Sequence, residues 1–130
     1  MKRVLLVDDD NVVLLHTGVR LKSMGYTVYT AKDAINAVAA VRKNDPDVVV
    51  LDISLPAGDG FAVLKQVKQF PALSRVPVIV LTGRDPGGNE RRSLESGAVA
   101  FFQKPADEAE LMEVIRTNLR PAWGWGPSPS

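Results

Sequence analysis

The chain has 130 residues, sixteen basic and fifteen acidic side chains, a formal charge of +1, one histidine and no cysteine. This length is room for about one domain, and surface scaling lets such a domain bury about two-thirds of its unfolded surface, so the core needs no staples. With no cysteine and His16 alone, disulfide frameworks, thiolate or multi-imidazole metal sites and cysteine nucleophiles are excluded, which leaves any chemistry to carboxylates, hydroxyls and amines.

Met1-Lys2-Arg3 opens like a charged signal, but the apolar run Val4 to Val7 ends at three aspartates. It is far too short for a signal or a membrane span, which predicts a soluble, cytoplasmic protein. Runs of β-branched or aromatic residues at Val4 to Val7, Thr27 to Thr30, Val48 to Leu51, Val78 to Leu81 and Ala100 to Phe102 have the length of buried strands. Helical patterns lie between and after them, at about Asn11 to Met24, Asp33 to Lys43, Phe61 to Gln69, Asn89 to Ser96 and Asp107 to Leu119. Gly25, Asn44 to Pro46 and Gly97 supply stop signals, and Asp33, Asp59 and Asp107 stand where N-caps are wanted. Asp85-Pro86-Gly87-Gly88 makes the fourth helix the weakest, with a mobile start. Five such βα units predict an α/β fold, a parallel sheet with helices on both faces. The last ten residues, PAWGWGPSPS, contain seven Pro, Gly or Ser and hold both tryptophans, Trp123 and Trp125. They predict a domain over 1–120 followed by a tail over 121–130, with no effector domain and the tryptophans as an exposed or docking element.

In an open parallel sheet, functional groups gather beyond the carboxyl ends of the strands, at the switch in strand order. Asp8, Asp9 and Asp10 follow the first strand, Asp52 the third, Thr82 the fourth and Lys104 the fifth, so these residues should converge on one rim. All nine acidic residues before Glu90 are aspartates. Carboxylates gathered within several ångströms repel by a few kcal/mol per pair at an effective dielectric of about 20. A hard divalent ion with oxygen ligands, Mg²⁺ with Mn²⁺ as a substitute, would offset that repulsion. A hydroxyl and an ammonium facing the same point would suit phosphoryl oxygens. Asp10 fits the N-cap of the first helix.

The segments VLLVDDD, LDISLPAGDGF, VIVLTG and FFQKP, in this order and at these separations, resemble the receiver domain of two-component response regulators over about residues 3 to 119. A stand-alone receiver of the chemotaxis-regulator kind is the nearest likeness. The resemblance implies a flavodoxin-like, doubly wound five-stranded sheet of order 2-1-3-4-5. It implies that Asp52 is a phosphoacceptor, charged by the phosphohistidine of a histidine kinase or histidine phosphotransfer protein. Asp9 and Asp52 would then ligate Mg²⁺ directly, with the backbone carbonyl of Ser54, and Asp8 would act chiefly through water. Thr82 and Lys104 would hold the phosphoryl oxygens, and Lys104-Pro105 would be cis. Thr82 and Phe101 would form the switch; the family often has Tyr at the latter position, and Phe101 leaves a packing-only version. Ser54 and Arg84 occupy the family's tuning positions for phosphoryl lifetime. Such a domain is a phosphoacceptor rather than an enzyme, apart from self-catalysed phosphotransfer and autodephosphorylation.

Val12, Val13, Leu14 and Leu15 are consecutive, and at about 100° per residue they span nearly the whole helix circumference, so one or two must stay near the rim unburied. Val12, Leu15 and Pro105, beside Ala106, are the expected docking patch for the kinase partner, and His16 reads as a partly exposed helix residue. On the fourth helix, fifth strand and fifth helix, Arg91, Arg92 and Arg116 mix with Glu90, Glu95, Glu108 and Glu113. That mixture suits a downstream protein target or a homodimer rather than direct nucleic-acid contact, and no membrane partner is implied. Two other readings exist. Asp8-Asp9-Asp10-Asn11-Val12 satisfies the D-x-D-x-V pattern of haloacid-dehalogenase-type phosphatases, with Asp8 as nucleophile, and a receiver can serve as a phosphate-independent binding or dimerisation module.

Overall fold

The computed structural model describes residues 2–55 and 60–119. Asp59, expected as a cap, and the segment 121–130 with Trp123 and Trp125 lie outside the described residues.

Five strands alternate with five helices: β1 (Arg3–Val7), α1 (Asn11–Ser23), β2 (Thr27–Ala31), α2 (Ala34–Asn44), β3 (Val48–Leu51), α3 (Gly60–Gln69), β4 (Val78–Thr82), α4 (Pro86–Glu95), β5 (Ala100–Gln103) and α5 (Glu108–Asn118). All strand pairs are parallel, and the order is β2-β1-β3-β4-β5, so the order reverses between β1 and β3. The central strands are apolar from Val4 to Val7, Val48 to Leu51 and Val78 to Leu81 because both faces are covered there. Side chains alternate strictly along them. Leu5, Val7, Val49, Leu51, Val78 and Val80 join one core cluster with α2 and α3, while Val4, Leu6, Val48, Val50, Ile79 and Leu81 join the other with α1 and α5. Edge strands β2 and β5 are only half-buried.

The helix ends follow local chemistry. Asp10, Asp33 and Asp107 accept the backbone N–H groups of Val12, Asn36 and Glu110 and so cap α1, α2 and α5. Asp45 closes α2 in the left-handed conformation at φ 46°. Beyond α4, Gly97 at φ 109° donates to Leu94 O while Ala98 N donates to Ser93 O. This arrangement is a Schellman closure, and it needs a residue without a Cβ penalty.

Most sequence boundaries shift by one or two residues, but α4 begins at Pro86 rather than Asn89. Proline is tolerated at a first-turn position, and the helical geometry beyond the kink at Gly87 resumes at Gly88, one residue before Asn89. Gly87 then departs from helical geometry at φ 16° and ψ −125°, and Asp85 makes no side-chain cap bond. The fourth helix thus has a kinked, uncapped first turn.

Candidate functional site

The reversal of strand order opens the rim between β1 and β3, and the strand-end polar groups meet there. Asp8 and Asp52 are 4% exposed and Thr82, the last residue of β4, is 0% exposed, whereas Asp9 is exposed. Asp8, Asp9 and Asp52 each offer a carboxylate oxygen, and the three atoms lie within 4.8 Å of one another. Lys104, just beyond β5, reaches Asp8 Oδ2 at 2.6 Å and Asp52 Oδ2 at 3.1 Å. The peptide bond from Lys104 to Pro105 is cis.

Both Asp52 oxygens are engaged. Oδ1 accepts the backbone N–H of Ser54 at 2.8 Å and the Thr82 hydroxyl at 2.8 Å, and Oδ2 accepts Lys104. Asp8 Oδ1 accepts the backbone N–H of Asp10 at 2.9 Å, which aims its other oxygen at Lys104. Thr82 has one hydroxyl proton and gives it to Asp52, so in the 3.1 Å contact between the two hydroxyls Ser54 is the donor. Ser54 Oγ in turn accepts from Arg84 Nε at 3.1 Å. A polarised chain therefore runs from Arg84 through Ser54 and Thr82 to Asp52, joining Arg84 and Ser54 to the carboxylate.

Burial pushes the Asp8 carboxyl up from its ordinary range, against the lowering pull of Lys104 and the Asp10 amide. Burial alone would lower the Lys104 ammonium, but its hydrogen bonds and charge interactions with Asp8 and Asp52 outweigh that and raise it. At the rim three carboxylates meet one ammonium, with Arg84 as a second cation at the edge. Unit charges about 4.8 Å apart repel by about 3.5 kcal/mol at an effective dielectric of 20. An all-oxygen, carboxylate-rich donor set of this kind fits a hard cation such as Mg²⁺ and suits neither zinc nor copper preferences.

Phe101 lies on β5 opposite Val80, half-buried against the α2–α3 side of the core. Val12 and Leu15 are 73% and 70% exposed, while Leu14 faces the core and Val13 is intermediate. An open cleft of about 550 Å³ joins Val12 to Leu81, Lys104, Pro105 and Ala106, and a second of about 540 Å³ runs along Leu15 and Val19. His16 Nδ1 lies 2.9 Å from Glu108 Oε1, and Arg20 reaches the same carboxylate at 3.1 Å, so two α1 side chains bind the start of α5. Gly60 escaped the sequence reading. A Cβ there would lie 2.5 Å from the backbone oxygen of Asp52 and from Ile53 Cα, and its N–H donates to Ile53 O at 3.0 Å. The requirement for a missing side chain is set by atoms seven and eight residues away in the chain, which no local pattern reveals.

The response regulator receiver domain model matches residues 4–116. Response regulator PleD of Caulobacter vibrioides is 38% identical over 120 residues, covering 91% of this chain, and a gliding motility regulatory protein of Myxococcus xanthus is 36% identical over 102 residues, covering 78%. The chain spans only 26% and 13% of the length of those two relatives. Among solved structures, a receiver domain protein of Methanospirillum hungatei superimposes with a TM-score of 0.83 at 31% identity, covering 90% of this chain and 92% of its own. The receiver domain of a sensor histidine kinase of Pseudomonas aeruginosa, solved with a magnesium ion coordinated in its active-site cleft, gives 0.82 at 29% identity, covering 90% and 96%. Fold, strand order and family match agree, and this chain belongs to the response regulator receiver domains of two-component signalling.

Proposed function

We propose that Asp52 accepts a phosphoryl group from a phosphohistidine on a histidine kinase or histidine phosphotransfer protein, and that the resulting aspartyl phosphate changes a protein-binding face of the domain. An Asp52 carboxylate oxygen forms the new O–P bond as the N–P bond of the donor breaks. The imidazole nitrogen leaves with the electron pair and takes a proton from solvent. The observation that carries this reading is the geometry at Asp52. The carboxylate is nearly enclosed, its Oδ1 is fixed by Ser54 and Thr82, and its Oδ2 faces Lys104.

Each neighbour has a role in this reading. Lys104 turns its ammonium from carboxylate to phosphoryl oxygen as charge moves outward, and Thr82 gives its hydroxyl to a second phosphoryl oxygen. Asp9, Asp52 and the Ser54 carbonyl would hold Mg²⁺, or Mn²⁺ in its place, with Asp8 acting through water. When bound, the ion would neutralise negative charge on the transferring group. Release of Thr82 from Asp52 also frees Ser54 and Arg84, so the hydroxyl chain carries the change toward the β4–α4 junction, and Phe101 repacks without a hydroxyl to satisfy. Arg84 would cover one approach to Asp52 while the small Ser54 leaves water access open, so the two would tune phosphoryl lifetime in opposite directions. Val12, Leu15 and Pro105 present the apolar patch for the phosphohistidine partner, and the face of α4, β5 and α5 meets the downstream protein or a second copy. A kinase of this kind would be met in the cytoplasm. No described helix is long and apolar enough to cross a membrane.

The phosphatase alternative fares poorly, because it gives the buried, hydrogen-bonded Asp52 no role, and Asp10, which it would use as acid/base, is committed to capping α1. Two measurements test the proposal. Acetyl phosphate with Mg²⁺ adds one phosphoryl group to the wild-type protein and none to Asp52→Asn, and a phosphorylated Asp52→Asn would overturn it. Mg²⁺ at 100 times its dissociation constant raises stability by about 2.7 kcal/mol in the wild type, read as a melting-temperature shift, and Asp9→Asn abolishes the gain. An unchanged wild-type melting temperature at tens of millimolar ion would favour the phosphate-independent module.

A further inference from the structure

The support of the site on the α3 side extends beyond the groups that touch the Asp52 carboxylate. With Gly60 in backbone contact with Asp52 and Ile53, the phosphoacceptor rests on the first turn of α3. The next residue, Phe61, is 5% exposed and belongs to the same core cluster as Ile53 and Leu55. Over its ring lies the guanidinium of Arg92, 3.8 Å from the centroid. Arg92 stands on α4, whose one buried residue is Ser93. Its neighbour Arg91 takes an ordinary ion pair with Glu95 at 3.2 Å, whereas Arg92 makes no ion pair among the described residues. Its charge is directed at the ring.

We propose that Arg92 is a positioning residue for phosphoryl transfer. Seated on Phe61, it holds the first turn of α3, and through Gly60 the Asp52 backbone, in the geometry that in-line attack requires. This inference rests on Asp52 being the phosphoacceptor. Displacement of an attacking group by a fraction of an ångström lowers the rate several-fold, and a partly solvated cation on a ring corresponds to about a threefold to tenfold effect. The path is contiguous, Arg92 to Phe61 to Gly60 to Asp52, but contiguity alone is not coupling, so the test is a double-mutant cycle read on the reaction.

Initial rates of phosphorylation by limiting acetyl phosphate at saturating Mg²⁺ are compared for wild type, Arg92→Met, Arg92→Lys, Phe61→Leu and Arg92→Met/Phe61→Leu, each well below its own melting temperature. Arg92→Met keeps an apolar cover on the ring and removes the charge. It is expected to slow labelling about threefold to tenfold. Arg92→Lys restores most of the rate, and the loss from Arg92→Met vanishes in the Phe61→Leu background. A contact that only stabilised the fold would move melting temperatures without this pattern in the rates. Wild-type labelling by Arg92→Met, or the same fold-loss with and without Phe61, overturns the inference. A wild-type protein that is not phosphorylated at Asp52 overturns the phosphoacceptor reading instead, so the two failures are distinct.

Discussion

Helices α3 and α4 flank the same rim and are built in opposite ways. Helix α3 buries Gly60, Phe61, Val63, Leu64 and Val67, and its first turn touches the Asp52 backbone. At its other end, Lys68 donates to Ser74 O at 3.1 Å and Val76 O at 2.7 Å, tying down the connection to β4. Helix α4 buries Ser93 alone, starts without a side-chain cap and is kinked at Gly87. One helix is part of the platform under Asp52, and the other buries a single residue and meets the first turn of α3 through Arg92 on Phe61. Segments with few buried apolar contacts open at low free energy, a property that would suit α4 to the responsive face proposed above.

Truncation should separate the two helices most strongly. Leu64 is 0% exposed, so Leu64→Ala is expected to lose about 2–5 kcal/mol in urea unfolding. Leu94 on α4 is 45% exposed, and Leu94→Ala should change stability by less than about 1 kcal/mol. Equal losses would dissolve the contrast. Glycine substitution sharpens it. At Gly60 a methyl group meets backbone atoms of Asp52 and Ile53, which cannot swing aside, so Gly60→Ala should lose about 1–3 kcal/mol and also impair labelling of Asp52. At Gly88, in α4, nothing lies within 4 Å of an added Cβ, and Gly88→Ala should gain about 0.5–1 kcal/mol by thermal unfolding.

The smallest effect is a pH dependence. Burial pushes the Lys68 ammonium below the ordinary lysine value of 10.5. Between the lowered folded value and 10.5 the unfolded chain binds more protons at this residue, so its contribution to stability rises with pH through that window. Lys104 shifts the other way; its contribution is complete below 10.5 and is lost as pH climbs through its raised value. The difference between wild type and Lys68→Met cancels Lys104 and isolates the first effect. That difference, followed by denaturant titration on the alkaline side of neutrality, should move in favour of the wild type as pH rises toward 10.5.

How much of this was legible in the sequence depends on the range of the interaction. Strands β1, β3 and β4 announce themselves because both faces are buried and each carries a run of four apolar residues. The rim residues were readable because strand ends in a parallel sheet face one way, so Asp8, Asp52, Thr82 and Lys104 had to meet. The exposure of Val12 and Leu15 followed from four consecutive apolar residues on one helix. Contacts between helices were not readable. The i,i+4 spacing suggests the pairing of Arg91 with Glu95, but no spacing reveals that Arg92 sits on Phe61. Likewise the hydrogen-bonded chain from Arg84 through Ser54 to Thr82 leaves no trace in the sequence, because its link is a rotamer and not a spacing.

The central claim is that Asp52 forms the acyl phosphate. Trapping with borohydride after incubation with acetyl phosphate and Mg²⁺ reduces an aspartyl phosphate to homoserine, which peptide sequencing by mass spectrometry then locates. Homoserine at position 52, and at no other aspartate, is the result expected; homoserine at position 8 would contradict the account.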